Sequence, residues 1–530
     1  MDVKEKTEDV TAENTPVRKK PGVVVTVILA ILFFIGTVLL VGTIWYNNTF
    51  KVGFKELLYT MISPLKGTES GFIIDALKIC IPPIIIIFAI YLAVFLKARS
   101  CEAKKSCAHR QTGEKKEGKK RKIGKPTCSF VRKVCVVLSV LLFVGALIFA
   151  LASLKVFSYL KSISDTTTIY EDRYVKPSSD IITADGKTKN LIYIYLESME
   201  TTYASTEAGG RQEINYIEGL TELVNSDGAL TFTDKEAGVL GGFHNPTGTG
   251  WTMGSLLATT SGVPFSFPVE RNSMNKRETF APGLVNLGDI LAEKGYNQEF
   301  LCGSDADFAG RKSYFTQHGN YKIFDLYSAR REGYIAKDYK VWWGYEDEIL
   351  YKIAKDELIK LSSEDKPFNF TMLTVDTHHV NGYVCNLCDN KYDTITANVV
   401  ACADRQVTDF VEWLRQQDFY ENTVVIISGD HPRMDTNLVE DVDFYDRTVY
   451  NCILNTDTVP AGKTTERVFT PMDMFPTILE AMGFDVEGDR LGLGTSLFST
   501  LPTLAEEMGY DAFNAEVSKY SPYYVETFSR

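Results

Sequence analysis

The sequence predicts an α/β domain, a mostly parallel sheet sandwiched by helices, preceded by three transmembrane helices. Two patterns carry this reading. Three long apolar runs fall within the first 157 residues, and beyond them short apolar runs of strand length alternate with longer helical ones. The 530 residues leave room for one large domain besides the membrane segments.

The first run, residues 22–46, carries no charged side chain and exceeds the ~20 residues that cross a bilayer at 1.5 Å per residue. The second, residues 74–96, has Asp75 and Lys78 near its start and Pro82-Pro83 inside it; the third is 134–154. A cleaved signal peptide fits poorly, because the first run is too long and follows about twenty mostly polar residues. Residues 97–133 hold fourteen Lys and Arg, including Lys119-Lys120-Arg121-Lys122, against three Glu, and the leading tail ends in Arg18-Lys19-Lys20. Basic loops stay on the cytoplasmic side. Residues 1–157 therefore read as a multi-pass membrane anchor with a cytoplasmic loop at 97–133, residues 158–188 as a polar connector with some helical stretches, and 189–530 as an extracytoplasmic catalytic domain.

Of 56 basic and 68 acidic residues, 24 and 11 lie in the first 157, which leaves a net charge of −25 on the rest. Such a charge argues against nucleic acid as a partner and is compatible with cation binding. Ten cysteines divide evenly, with Cys80, Cys101, Cys107, Cys128 and Cys135 in or near the spans and Cys302, Cys385, Cys388, Cys402 and Cys452 beyond them. Cys385-x-x-Cys388 suggests zinc or redox chemistry, but no second such pair accompanies it. In an oxidising compartment the expectation is a local disulfide among Cys385, Cys388 and Cys402.

Strands are expected at 191–196, 298–301, 369–375, 423–428 and 450–454, and helices at 284–294, 346–361, 395–416 and 472–482. Gly295 and Gly483 follow two of these helices as C-terminal stops. No internal repeat or low-complexity linker divides the region, so one domain is expected.

Open parallel sheets bind ligands beyond the carboxyl ends of their strands. One strand ends in Glu197-Ser198; another runs through Gly429 into Asp430-His431. An adjacent carboxylate and imidazole after a glycine can present two ligands to one cation, or can be a helix cap beside an incidental histidine. A third element is Asn245-Pro246-Thr247-Gly248-Thr249-Gly250-Trp251-Thr252-Met253-Gly254-Ser255. Its glycines permit a tight turn, and Thr252 stands where a short helix, 253–260, begins. A hydroxyl there is either an ordinary N-cap or a nucleophile, and a poorly acidic threonine needs a metal or a base to act as one.

Glu197 at a strand end, Gly248-Thr249-Gly250-Trp251-Thr252, Asp376-Thr377-His378-His379 and Ser428-Gly429-Asp430-His431 together resemble the sulfatase-like phosphoglycerol transferases of the alkaline phosphatase superfamily. This family includes lipoteichoic acid synthases and enzymes that decorate periplasmic glucans. Tyr170-Glu171-Asp172-Arg173-Tyr174-Val175 and Ala403-Asp404-Arg405-Gln406-Val407 are similar too. The resemblance implies an alkaline phosphatase/sulfatase-like fold and one divalent cation, commonly manganese, with magnesium or calcium as alternatives. Glu197, Asp430 and His431 would hold it, Thr252 would be nucleophile and further ligand, and His378 and Arg311 would face the substrate phosphate. His379, His318 and His244 take no such role. The implied reaction moves phosphoglycerol from phosphatidylglycerol, a membrane phospholipid, to a hydroxyl of an envelope glycan or glycolipid through a phospho-threonine intermediate. The alternative is a phosphodiesterase or phosphatase on the same fold. The chain departs from the synthases in having three expected spans rather than five and no histidine in 301–311, and its Gly-Thr-Gly-Trp-Thr run is closer to the glucan-modifying branch. No Cys-x-Pro-x-Arg surrounds Thr252, so the oxidised residue of true sulfatases cannot form there.

Overall fold

The structure is a computed structural model that describes residues 21–50, 54–55, 57–58, 70–111, 128–184, 186–267 and 279–529. The basic runs at 18–20 and 119–122 lie outside them. Two compact units emerge, one from Met1–Tyr46 with Asp75–Ser153, the other from Asn47–Ile74 with Leu154–Arg530.

The first unit holds parts of three helices, α1 (Pro21–Thr49), α2 (Ser70–Gln111) and α3 (Cys128–Ser153). Within them Val24–Thr49, Ile74–Cys101 and Cys128–Ser153 are long and apolar enough to cross a membrane. Their outward faces carry apolar side chains such as Ile85, Ile90, Leu141 and Ile148, each more than half exposed, as lipid-facing surfaces do. Gly36 lets α1 approach α3 closely, since a Cβ there would lie 2.9 Å from the Phe143 backbone. Phe33 stacks on Tyr91 at 3.8 Å, and the Tyr91 hydroxyl bonds Ser139 Oγ at 2.7 Å. A disulfide joins Cys101 to Cys128.

The second unit is built on seven strands: β1 (Asn190–Leu196), β2 (Ala229–Leu230), β3 (Asn297–Cys302), β4 (Lys322–Phe324), β5 (Phe368–Leu373), β6 (Thr423–Gly429) and β7 (Asn451–Leu454). Among the described residues they form one sheet in the order β2-β7-β6-β1-β5-β3-β4, with β6, β1, β5, β3 and β4 mutually parallel and β7 antiparallel to both its neighbours. The mostly parallel sheet of the sequence reading is thus present. The two shortest strands, β2 and β4, went unread, since two or three residues carry no periodicity.

Alternation along β1 and β6 splits the core into two layers. Leu191, Tyr193, Tyr195, Val424 and Ile426 face one cluster, and Ile192, Ile194, Leu196, Val425 and Ile427 the other. Both faces are covered, which is why these strands read as unbroken apolar runs. Helices α4 (Thr252–Ser261) and α8 (Pro471–Ala481) supply Leu256, Leu257, Phe475 and Ile478 to the first layer. Helices α6 (Asp347–Ser362) and α7 (Ile395–Arg415) supply Leu350, Ile353, Val407 and Phe410 to the second. Between α4 and α6 in sequence lies α5 (Arg311–Gln317). Gly295 and Gly483 adopt positive φ, 84° and 92°, at the expected helix stops.

The segment read as a connector is helical over Val156–Ser164 and Ile169–Arg173, and Tyr170 is buried against Tyr524 and Phe528. The chain just after α1 also belongs to this unit: Phe50 bridges to Asp435, and Thr436 N–H donates to the Thr49 carbonyl at 3.1 Å.

Candidate active site

Strands β1 and β6 are adjacent and parallel, with Leu196 opposite Gly429. The next residue of each strand therefore leaves the sheet at the same edge. Gly429 is required by space, since a Cβ would meet the Met199 carbonyl oxygen at 1.9 Å. Asp430 N–H donates to the Leu196 carbonyl at 3.1 Å, and Ser198 N–H donates to Asp430 Oδ1 at 2.7 Å. Ser198 reaches that position in the left-handed region, φ 52°, an unfavoured conformation of the kind that clusters at functional sites.

The ligand atoms of Glu197, Asp430 and His431 lie within 4.8 Å of one another, and all three residues are buried. His431 Nδ1–H donates to the Pro432 carbonyl at 2.9 Å, which leaves the Nε2 lone pair facing the carboxylates. Nε2 is 3.6 Å from Glu197 Oε1 and 3.4 Å from Asp430 Oδ2. Asp430 Oδ1 is satisfied by two backbone N–H groups, whereas buried Oδ2 has no hydrogen-bond partner. Burial and the Glu197 charge push the Asp430 carboxyl up to about 7. Burial also acts to raise Glu197, but His378, His431 and the hydroxyls of Ser198 and Thr252 outweigh it and hold it below its ordinary value. His431 goes up, because Asp430 and Glu197 outweigh its burial. Two buried carboxylates, an orphaned oxygen and an imidazole of fixed tautomer fit a divalent cation, whose charge would offset the repulsion.

Helix α4 begins at Thr252 itself, with Trp251 in the N-cap position. Thr252 is therefore not the cap. Its half-buried hydroxyl points to Glu197 Oε2 at 3.2 Å and His431 Nε2 at 3.5 Å. The loop before it turns at Gly248, φ 94°, and Asn245 Nδ2 ties it to the Asp430 carbonyl at 3.3 Å.

Thr252, Glu197, Arg311, His378, Ser304 and Trp343 line one cavity. Arg311 opens α5, donating from Nη2 to Ser304 Oγ and the Asp305 carbonyl, both at 2.9 Å, and from Nε to the Phe308 carbonyl. Among the described residues Nη1 makes no hydrogen bond. His378 Nδ1–H donates to the His379 carbonyl at 2.7 Å, and its ring lies 4.5 Å from Trp343. Burial pulls His378 down, only partly countered by Glu197, so its Nε2 is an unprotonated base at neutral pH. The structure thus brings all six expected site residues to one place. His318 is spent between Asp289 and the Phe280 carbonyl, both 2.8 Å away, a structural role. Asp404 is structural too, accepting the N–H groups of Gly219 and Leu220.

A family model described as sulfatase matches residues 189–484, more than half of the chain. The chain belongs to the sulfatase family. Among its relatives, phosphoglycerol transferase I of Xanthomonas campestris pv. campestris (strain B100) is 29% identical over 320 residues, 59% of this chain and 43% of that protein. Phosphoglycerol transferase I of Shigella flexneri is 30% identical over 336 residues, 62% and 41% of the two chains. The chain spans less than half the length of these relatives. Among solved structures, the lipoteichoic acid synthase LtaP from Listeria monocytogenes is 18% identical, covering 62% of this chain and 80% of that one, with a TM-score of 0.45.

The sequence reading missed residues that hold this sulfatase-family site in shape. Arg433 is fully buried, pairs with Asp435 at 2.6 Å and donates from Nη1 to the Thr377 carbonyl at 2.7 Å, linking the loop after β6 to the one bearing His378. Arg447 pairs with Glu200 at 2.8 Å, equally buried. Trp343 was missed as well. An arginine two residues after His431 was the available signal for Arg433; Arg447, Glu200 and Trp343 had none.

The expected disulfide is not formed. Cys385, Cys388 and Cys402 are thiols, with Cys385 Sγ 3.6 Å and 3.7 Å from the other two.

Proposed function

We propose that this chain is a membrane-anchored phosphoglycerol transferase that takes its group from phosphatidylglycerol and delivers it to a hydroxyl of an envelope glycan or glycolipid. The observation that carries the reading is the Thr252 hydroxyl, released from helix capping and aimed between Glu197 and His431. The names of the relatives support the group transferred.

Glu197, Asp430 and His431, with the Thr252 oxygen, would hold one divalent cation. Its oxygen-rich donor set suits manganese, magnesium or calcium better than a thiophilic metal. When bound, it supplies a lowered hydroxyl pKa and polarisation of a phosphoryl oxygen. Thr252 Oγ attacks phosphorus, the bond from phosphorus to the diacylglycerol oxygen breaks, and phosphoglycerol remains on Thr252. The Thr252 proton passes by way of His378 Nε2 to the departing alkoxide. His378, again neutral, takes a proton from the acceptor hydroxyl, which attacks in turn, and the proton returns to Thr252. Arg311 Nη1 and the first turn of α4 offer donors to the phosphoryl oxygens.

The basic loop at 97–133 and three spans put residues 47–73 and everything after 154 on one side of the membrane, outside. The packing of Phe50 and Thr49 within the catalytic unit supports this, since both segments must share a compartment. Spans and catalytic residues on one chain confine the enzyme to the surface where the lipid donor lies.

Mass spectrometry of the full chain after exposure to phosphatidylglycerol tests the reading. A phosphoglycerol mass is expected on the peptide containing Trp251-Thr252, absent from Thr252→Ala and discharged by a glycan acceptor. Turnover by Thr252→Ala, or discharge to water alone, would sink it.

A further inference from the structure

A second cluster of metal-binding type lies outside the site described above. Cys385 and Cys388 sit on the stretch between β5 and α7, residues 374–394, which forms no helix or strand; Cys402 lies on α7. The three sulfur atoms lie within 4.8 Å of one another. Two of the separations, 3.6 and 3.7 Å, match the ~3.8 Å edge of a tetrahedron drawn with the ~2.3 Å zinc–sulfur bond. A disulfide would need one pair at ~2 Å and would strand the third sulfur.

The surroundings are those of thiolate ligands. Cys388 N–H donates to the Cys385 carbonyl at 3.2 Å, a tight turn that puts both side chains on one side. Above the sulfur atoms lies Gln406, only 8% exposed, its Nε2 3.4 Å from Cys402 and 3.8 Å from Cys385. Its buried Oε1 has no partner. Amide nitrogen and oxygen exchange places on a half-turn. Turned so, Oε1 stands 3.4 Å from Cys402 Sγ and 3.8 Å from Cys385 Sγ, within reach of a shared ion as its fourth ligand.

We propose that Cys385, Cys388 and Cys402, closed by Gln406, bind one structural zinc ion. Binding forms three zinc–sulfur bonds as three thiol protons leave, and no oxidant is consumed. The site clips the loop that begins at Thr374 and carries His378 to a helix of the second core layer. Long irregular segments close at an entropic cost that such a clip offsets. The inference does not depend on the substrate proposed above.

The full chain, purified in detergent without reductant or added metal, is treated with an organomercurial while a chromogenic dye reports free zinc. Release of about one zinc per chain is expected, because only thiolate-held metal is displaced by a thiol reagent; the carboxylate–imidazole site is not. Cobalt-loaded protein should show a sulfur-to-cobalt charge-transfer band, absent from Cys402→Ala, while Asp430→Asn retains it. Three alkylatable thiols without zinc release, or a disulfide among the three in the purified chain, would overturn the proposal. The wild-type measurement decides even where Cys402→Ala fails to fold.

Discussion

Cation affinity at the Glu197–Asp430–His431 site should depend steeply on pH, and the structure sets where. Without a cation, Asp430 is pushed up to about 7, first by burial and then by Glu197, so below that pH it carries a proton. His431, raised by the two carboxylates, carries one as well. Glu197 lies below its ordinary value and contributes none. Ligation expels every such proton, and each one weakens binding about tenfold per pH unit below the pKa of its group. From pH 7 to pH 5, the Asp430 proton alone predicts about a 100-fold rise in Kd, and His431 steepens it. Above about pH 8 the Asp430 proton should no longer contribute. The same shift acts on the metal-free fold. An aspartate that ionises near ~3.9 when unfolded and near 7 when folded penalises folding as pH rises between those values, by about 4 kcal/mol in full, and a bound cation removes the penalty. Titration of the chelator-stripped chain with manganese across pH 5–8 measures the slope, and Asp430→Asn should reduce it by one proton. A flat affinity over this range, or a slope appearing only below about pH 4, where ordinary carboxylates titrate, would refute the argument.

Three further outcomes follow. His378→Gln should lower kcat by roughly 10²–10⁴-fold while metal content, read by mass spectrometry, is unchanged. Because burial keeps His378 neutral, the acid limb of kcat/KM in the wild type, measured at saturating cation, should fall below the ordinary imidazole range. Arg447→Met strands the buried Glu200 carboxylate and should destabilise the domain by about 3–5 kcal/mol in denaturant unfolding; a change under 1 kcal/mol would mean the pair is not desolvated. On the proposed topology the loop at 97–133 faces the cytoplasm, where thiols are kept reduced, so the Cys101–Cys128 bond of the structure should be open in intact cells and both thiols alkylated when blocked before lysis. A bond already present in intact cells would place the loop outside and reverse the topology.

The sequence by itself determined the parts whose signals are local. A strand covered on both faces must be apolar throughout, so β1 and β6 were legible, and with them the carboxylate and imidazole just past their ends. Helix stops at Gly295 and Gly483 were legible because each ends its helix with positive φ, a conformation glycine adopts without strain. Tertiary structure alone decided that β1 and β6 are neighbours in parallel register, although more than two hundred residues separate them; this adjacency puts Glu197 beside Asp430. It also removed the cap reading of Thr252. The helix starts one residue earlier than its spacing suggests, so the hydroxyl is not consumed as a cap. The pairing of Arg447 with Glu200, and the free-thiol state of the three cysteines whose grouping the sequence did suggest, were beyond reach for the same reason. Their partners are fixed by how layers pack, and packing depends on the whole chain rather than on neighbours along it.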